Sequence, residues 1–194
     1  MEITTRWLDF KQALWGLVLL AGVFLPASAA ATGGIVLSFD PLNGVIVQAA
    51  PPETLTVQVT VDSTATDLRG FSFVLEFDPG IVTPISVQPG TLLSGAPCGF
   101  FLTWLNETAI GDSIAVDAAA LGCSMVGPGN IVEMKFVGVE LGYGVSPLDW
   151  REVRMRDSAN TVLDVKCVDG TIYHQVIIIG VEPESWARVK ALYR

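Results

Sequence analysis

The segment Phe71-Ser-Phe-Val-Leu-Glu-Phe77 decides the fold of this chain, because a large apolar residue occupies every second position. A period of two is the pattern of a β-strand with one face in a core and the other in water. The inward set is Phe71, Phe73, Leu75 and Phe77, and the outward set is Gly70, Ser72, Val74 and Glu76. The sequence therefore predicts that the outward set is open to contact from outside the domain.

The same alternation continues through most of the chain, with Thr54–Val61 as a second clear example. Turn residues such as Asp78-Pro-Gly, Gly127-Pro-Gly and Asp169-Gly separate the segments. Short strands at this spacing are typical of an all-β sandwich or jelly roll, which we predict to be antiparallel, with no helix before residue 183. The predicted strands are 35–39, 45–48, 54–61, 71–77, 85–88, 100–106, 113–121, 130–139, 148–156, 162–168 and 171–179.

The first 29 residues have the composition of a signal peptide. Arg6 and Lys11 form a basic start, an apolar run follows, and Ala27-Ser-Ala29 is a small-residue cleavage site. The apolar run is shorter than the roughly 20 residues of a membrane span, so we expect a secreted domain of residues 30–180 without a span. The formal net charge of −9 disfavours nucleic acid as a partner.

Export permits disulfides, and the chain has three cysteines, Cys98, Cys123 and Cys167. Strands 100–106 and 113–121 flank a turn near Ile110 and Gly111. If those two residues are the turn centre, Cys98 lies opposite Cys123, at a distance that a disulfide can bridge. We predict a Cys98–Cys123 disulfide and a free Cys167.

Catalytic and cofactor-binding patterns are sparse in the sequence. His174 is the single histidine and lies within a predicted strand, so we interpret it as a structural residue. The carboxylates are scattered and mostly beside turns, where Asp bonds its own backbone. We predict no enzyme and no cofactor, with a structural calcium ion as the one alternative. Its oxygen ligands would be Asp157, Asn160, Asp164 and Asp169, although they do not match the twelve-residue calcium loop.

Residues 181–194 differ in character from the rest of the chain. Ser185 occupies a capping position, and Trp186, Val189 and Leu192 or Tyr193 follow at helical spacing. We predict a short C-terminal helix. Three roles stay open for it: a frayed terminus, a lid packed on the sheet, and a tail that another molecule recognises.

The segment from Asp67 to Pro79 resembles the cohesin family, whose third strand runs into a similar Asp-Pro turn. The likeness continues through Ile114-Ala-Val-Asp-Ala-Ala and Gly127-Pro-Gly-Asn-Ile-Val-Glu-Met-Lys-Phe, and it covers roughly residues 35 to 179. Cohesins are nine-stranded jelly rolls that bind dockerin modules in extracellular assemblies that degrade polysaccharides. The resemblance implies partner contacts on the outward face of the third strand, at Ser72, Val74 and Glu76.

Three functions follow as hypotheses. The first is a cohesin-like module that binds a dockerin-like protein, and a flat sheet face of mixed polarity would favour it. The second is a carbohydrate-binding module on the same fold, which an exposed row of aromatic rings would favour. Its candidate rings are Trp104, Tyr143, Trp150 and Tyr173. The third is a structural or adhesive surface domain with no dedicated ligand.

Overall fold

The computed structural model describes residues 34–48, 53–106, 112–140 and 143–176. The predicted signal peptide, the predicted C-terminal helix and the turn at Ile110 and Gly111 lie outside the described residues. Within them the chain forms twelve strands and one helical turn. No helix in this part of the chain is long and apolar enough to cross a membrane.

The elements follow the predicted strands closely. They are β1 Ile35–Asp40, β2 Asn43–Gln48, β3 Thr54–Val61, β4 Gly70–Glu76, β5 Val82–Pro89, α1 Thr91–Ser94, β6 Phe100–Asn106, β7 Ser113–Ala120, β8 Gly129–Gly138, β9 Gly144–Arg156, β10 Val162–Leu163, β11 Val165–Cys167 and β12 Gly170–Val176.

The strands form two sheets, which pack as a jelly-roll sandwich. One sheet has the order β11-β1-β3-β8-β5, and the other has the order β2-β12-β9-β4-β7-β6. Most neighbours are antiparallel, as predicted, but the pairs β1–β11 and β2–β12 are parallel. Both parallel pairs include an edge strand, where a long connection can place a strand in either direction. The predicted sandwich is therefore confirmed, and parallel pairing occurs at these two edges.

The predicted strand 162–168 is divided at Asp164. The part before Asp164 pairs with β9 in one sheet, and the part after it pairs with β1 in the other. The carbonyl of Asp164 accepts a hydrogen bond of 2.9 Å from the backbone N–H of Ile35. This short segment crosses between the two sheets, and for that reason one expected strand becomes two.

The inward residues of β4 form the centre of the core, as predicted. Phe71, Phe73, Leu75 and Phe77 are all buried, whereas the intervening residues are half-exposed. Phe77 lies edge-on to Phe136 of the opposite sheet, with ring centroids 6.2 Å apart. The alternation seen in the sequence thus becomes a set of contacts that joins the two sheets.

Trp150 of β9 joins the two sheets at a second point. Its ring stacks on Phe39 of β1, with centroids 4.6 Å apart, and meets Phe73 edge-on at 5.2 Å. The indole N–H donates a hydrogen bond of 3.0 Å to the carbonyl of Val168. Trp150 is half-buried, and this bond satisfies its one donor, so the ring packs without an unpaired polar group.

The disulfide between Cys98 and Cys123 is present, and Cys167 is free, as predicted. The register behind that prediction is wrong by one residue, because Phe100 pairs with Ala120 rather than with the residue after it. Gly99 and Gly122 have φ values of 78° and 107°, which side chains rarely adopt. These two glycines turn the chain out of the ladder and bring the cysteine Cα atoms to 5.8 Å.

The helical turn α1 is a departure from the expectation of no helix before residue 183. Its first residue, Thr91, donates a hydrogen bond of 3.0 Å from its hydroxyl to Asn130 Oδ1, and its backbone N–H also donates to that oxygen. Leu93 is fully buried beneath the turn. Burial of Leu93 and the hydrogen bonds to Asn130 hold these four residues in a helical turn. So short an element shows no helical periodicity in the sequence, so the sequence did not predict it.

Replacing Phe73 with Ala should lower the free energy of unfolding by about 3–5 kcal/mol, because the change leaves a cavity between the sheets. Phe101→Ala is the matched control, since Phe101 is 49% exposed. Urea unfolding of both variants measures the difference. Equal losses in the two variants would contradict the assigned faces of the sheet.

Replacing both Cys98 and Cys123 with Ser should cost about 3–4 kcal/mol of stability, because the unfolded chain gains conformational freedom when the loop opens. Cys167→Ser should have little effect, since that residue is exposed and unbridged. Chemical unfolding gives the energies, and peptide mapping without reduction checks the pairing. A mapped peptide that links Cys167 to either partner would overturn it.

Candidate functional site

The outer face of strands β9, β4, β7 and β6 is the candidate site. The structure places Ser72, Val74 and Glu76 on this face, half-exposed, as the alternation predicts. β4 is flanked by β9 on one side and by β7 on the other, and β6 lies beyond β7. Four strands therefore form one continuous surface with β4 near its middle.

A row of polar side chains crosses the face through Ser72. The strand registers pair Ser72 with Arg154 of β9 on one side and with Asp117 of β7 on the other, and Asp117 pairs with Thr103 of β6. Directly paired residues on one face of a sheet lie about 4.5–5.5 Å apart at Cβ. The row thus offers a guanidinium, two hydroxyls and a carboxylate side by side.

Small residues and two apolar residues border the polar row. On one side Gly70 pairs with Ala119, and Ala119 pairs with Phe101. On the other side Val74 pairs with Ala115, which pairs with Leu105 at 61% exposure. The face is flat over β4 and β7, because its side chains there are short, and it rises at the apolar edge on β6.

A shallow groove of about 370 Å³ lies at the end of this face where β4 begins, around Gly70. Its floor includes Gly70 and Ala119, and its walls include Phe101 on one side and Arg154 and Arg156 on the other. Arg154 is only weakly held, since its nearest carboxylate is Glu152 at 3.8 Å and both side chains are more than two-thirds exposed. Exposed pairs of that kind contribute little, so Arg154 is available to a ligand.

Glu76 is already engaged within the chain. It forms an ion pair with Arg151, and the hydrogen bond and charge of Glu76 raise the pKa of the Arg151 guanidinium. Arg151 is the extra residue of a β-bulge, because Val74 pairs with Glu152 while Leu75 pairs with Trp150. The bulge turns Arg151 towards the outer face, where it reaches Glu76.

Sequence reasoning identified β4 but missed its neighbours on the face. Asp117, Arg154, Thr103 and Phe101 also lie on this face, and they come from three other strands. The only signal in the sequence is that each is next to a buried or half-buried residue on its own strand. The strand order needed to bring them together is not a local property.

A second cavity of about 390 Å³ opens beside Trp150, Cys167 and Asp169. Burial raises the pKa of the Cys167 thiol, and the negative charge of Asp169 raises it further. Both effects favour the protonated thiol, which is a poor nucleophile. The cavity therefore shows no activated group.

Two of the residues considered for calcium accept hydrogen bonds from the backbone. Asp157 Oδ1 accepts a hydrogen bond of 2.7 Å from the backbone N–H of Thr161, and Asp169 Oδ1 accepts one of 3.3 Å from Trp150. Within the part of the chain that the structure describes, no three His, Cys, Asp or Glu side chains are grouped to hold a metal. A calcium ion at Asp157, Asn160, Asp164 and Asp169 stays a prediction.

The candidate sugar-binding rings do not form a row of four. Trp104 and Trp150 pack against the core, whereas Tyr143 and Tyr173 are exposed at the far end of the sheet. His174 is buried inside the sandwich, where its Nε2 lies against Gly138. The structure shows a flat face of mixed polarity on β9, β4, β7 and β6 rather than a row of aromatic rings. Such a face is the feature expected of a module that binds another protein.

Residues 46–172 match the family model of the cohesin domain. This match covers more than half of the sequence, so the chain belongs to the cohesin family. No curated protein matches the chain.

Solved structures of cohesins share the fold. A non-cellulosomal cohesin from Archaeoglobus fulgidus has a TM-score of 0.57 and 15% identity, over 80% of this chain and 96% of its own. The OlpA cohesin in a type I cohesin–dockerin complex from Clostridium thermocellum has a TM-score of 0.60 and 16% identity, over 74% of this chain and 100% of its own. A type II cohesin from the cellulosome of Acetivibrio cellulolyticus has a TM-score of 0.57 and 12% identity, over 72% of this chain and 94% of its own.

Asp169→Asn should speed the alkylation of Cys167 by iodoacetamide at pH 8. Removing the carboxylate lowers the pKa of the thiol, so a larger fraction is thiolate at that pH. Asp117→Asn removes the same charge from β7 of the other sheet and should leave the rate unchanged. Mass spectrometry of the Cys167 peptide over time gives both rates, and an unaltered rate in Asp169→Asn would refute the assigned electrostatic effect.

Proposed function

We propose that this chain is a secreted, non-catalytic module that holds a dockerin-like protein against the outer face of β9, β4, β7 and β6. The observation that carries the proposal is the polar row Arg154–Ser72–Asp117–Thr103 on a flat face of small residues. Family membership supports it, since the similar OlpA cohesin was solved in a cohesin–dockerin complex.

The face has the composition that a docked protein needs. Gly70, Ala115 and Ala119 keep the surface low, so a partner's backbone can approach closely. Ser72 and Asp117 offer hydrogen-bonding groups at the centre, and Phe101 offers an aromatic contact at the edge. Aromatic residues and arginine are the types that contribute most at protein interfaces, and they occupy opposite sides of this groove.

The three residues expected from the sequence have different roles in this proposal. Ser72 lies in the polar row and contacts the partner directly. Val74 adds an apolar contact in the neighbouring row, between Glu152 and Ala115. Glu76 acts mainly through its ion pair with Arg151, which orders that edge of the face.

Two further observations support the rest of the proposal. The histidine that a hydrolase would use, His174, is buried within the sandwich rather than in a cleft. The Cys98–Cys123 disulfide suits the oxidising environment that a signal peptide of residues 1–29 implies. A secreted cohesin of this kind would take part in extracellular assembly linked to polysaccharide degradation.

Ser72→Trp should abolish partner binding, because a large ring in the middle of the flat face prevents close approach. Thr83→Trp is the matched control, since Thr83 is exposed on β5 of the other sheet. Both changes are on the surface and should alter stability by only about 0.5 kcal/mol. The measurement is calorimetric titration against a panel of type I and type II dockerins, followed by capture from the host's secreted proteins.

The expected result is a captured protein that Ser72→Trp loses by at least tenfold and that Thr83→Trp retains. Equal binding by the two variants would place the contact elsewhere and overturn the proposed face. Retention on insoluble cellulose or chitin without any captured protein would favour the carbohydrate-binding alternative.

A further inference from the structure

The strand β6 has one unpaired backbone edge. It lies at the end of its sheet and pairs with β7 on one side only. Among the strands that the structure describes, none pairs with its other side. The N–H and C=O groups along that edge can therefore form hydrogen bonds with a strand of another molecule.

The other three terminal strands of the two sheets each carry a feature that opposes such pairing. β5 contains Pro84 and Pro89, which lack a backbone N–H, and a bulge interrupts its register. β11 has three residues, one of which is Lys166. On β2 the backbone N–H of Val47 already donates a hydrogen bond of 3.3 Å to the carboxylate of Glu53.

None of these features occurs on β6. The strand is seven residues long, contains no proline and no charged residue, and pairs with β7 without a bulge. Short length, prolines, charges and bulges are the means by which natural sheets keep an edge from pairing. The β6 edge is therefore the one terminal strand of the described sheets that is open to another strand.

Apolar side chains on both faces of β6 are incompletely covered. On the outer face Phe101 and Leu105 are exposed. On the inner face Leu102 and Trp104 pack against the core but are only half-buried. A strand added to this edge would cover all four side chains, so an occupant with apolar residues on both of its own faces is favoured.

A second copy of β6 has that pattern. Thr103 is the middle residue of the strand, and an antiparallel pair centred on it aligns all seven residues of both copies. Phe101 then lies opposite Leu105 of the second copy. Leu102 lies opposite Trp104 of the second copy, and the two-fold axis repeats both contacts. Aromatic–aliphatic pairs of this kind stabilise a sheet, and no like charges face each other.

The size of this contact sets the strength of the association. Seven residue pairs form a ladder about 24 Å long, with roughly six to eight backbone hydrogen bonds. Such a contact lies at the lower end of specific interfaces, at about 1,200 Å² of total buried area or less. We therefore expect a weak dimer that depends on protein concentration. The dimer is closed, because each copy uses its one open edge.

We propose that two copies of this chain dimerise through antiparallel pairing of their β6 strands, with Thr103 at the two-fold axis. The two sheets that contain β6 become one continuous sheet, and the outer faces of both copies lie on the same side of it. The contact uses the backbone edge rather than the polar row, so the dimer presents two partner faces side by side. This association concerns the chain alone and does not rest on the proposed partner.

Thr103→Lys tests the contact in the full chain, because it places two like charges directly opposite each other at the axis. Thr83→Lys is the matched control, since it makes the same change at an exposed threonine of β5. In sedimentation equilibrium without any partner, we expect Thr103→Lys to associate at least tenfold more weakly than the unmodified chain and Thr83→Lys to associate equally well.

A charge swap separates a lost contact from a damaged fold. Thr103→Glu alone should also associate weakly, whereas an equimolar mixture of Thr103→Lys and Thr103→Glu should recover association, because opposite charges then face each other at the axis. A mixture that stays as weak as its components, a chain that is monomeric at millimolar concentration, or equal association by Thr103→Lys and Thr83→Lys would each overturn the dimer.

Engineered cysteines test the register, with Cys167 replaced by Ser and the native disulfide retained. In the proposed pair Thr103 faces the same residue of the second copy, whereas the two copies of Leu105 are about 14 Å apart along the strands, too far for a disulfide. Thr103→Cys should therefore form disulfide-linked dimers at least tenfold faster than Leu105→Cys under mild oxidation, as measured on non-reducing gels. Equal rates, or faster linkage of Leu105→Cys, would overturn the proposed pairing.

Discussion

The alternation along β4 is the constraint on which the rest of the structure depends. Because Phe71, Phe73, Leu75 and the following Phe77 are large and apolar, the inward face of this strand must pack against the opposite sheet. Its outward residues are Gly70, Ser72, Val74 and Glu76, which are half-exposed. One strand therefore supplies both the centre of the core and the centre of the proposed binding face, and a slip of one residue would exchange the two.

The contacts of Trp150 and the bulge at Arg151 connect that core to the face. Trp150 packs inward on Phe39 and Phe73, and the next residue along β9 is the extra one. The bulge lets Arg151 turn outward to Glu76 while the strand continues in register with β4. Of two consecutive residues, Trp150 therefore joins the two sheets and Arg151 holds Glu76 on the outer face.

The two ends of the β2-containing sheet differ in what they offer. One end carries short polar side chains between Phe101 and the arginines of β9, which suits a separate protein. The other end carries Val45, Tyr173 and Val145 among carboxylates, next to the point where β12 ends.

The sequence by itself determined most of the strands, the inward and outward faces of β4 and which two cysteines are bridged, because each follows from local period or from residues close in sequence. Tertiary structure alone decided that Asp117 and Arg154 lie beside Ser72, that two edge pairs are parallel, and that the hairpin register differs by one residue. The physical reason is that cross-strand neighbours depend on strand order, bulges and glycine conformations. Those features are set by packing over the whole sandwich, and no local pattern contains them.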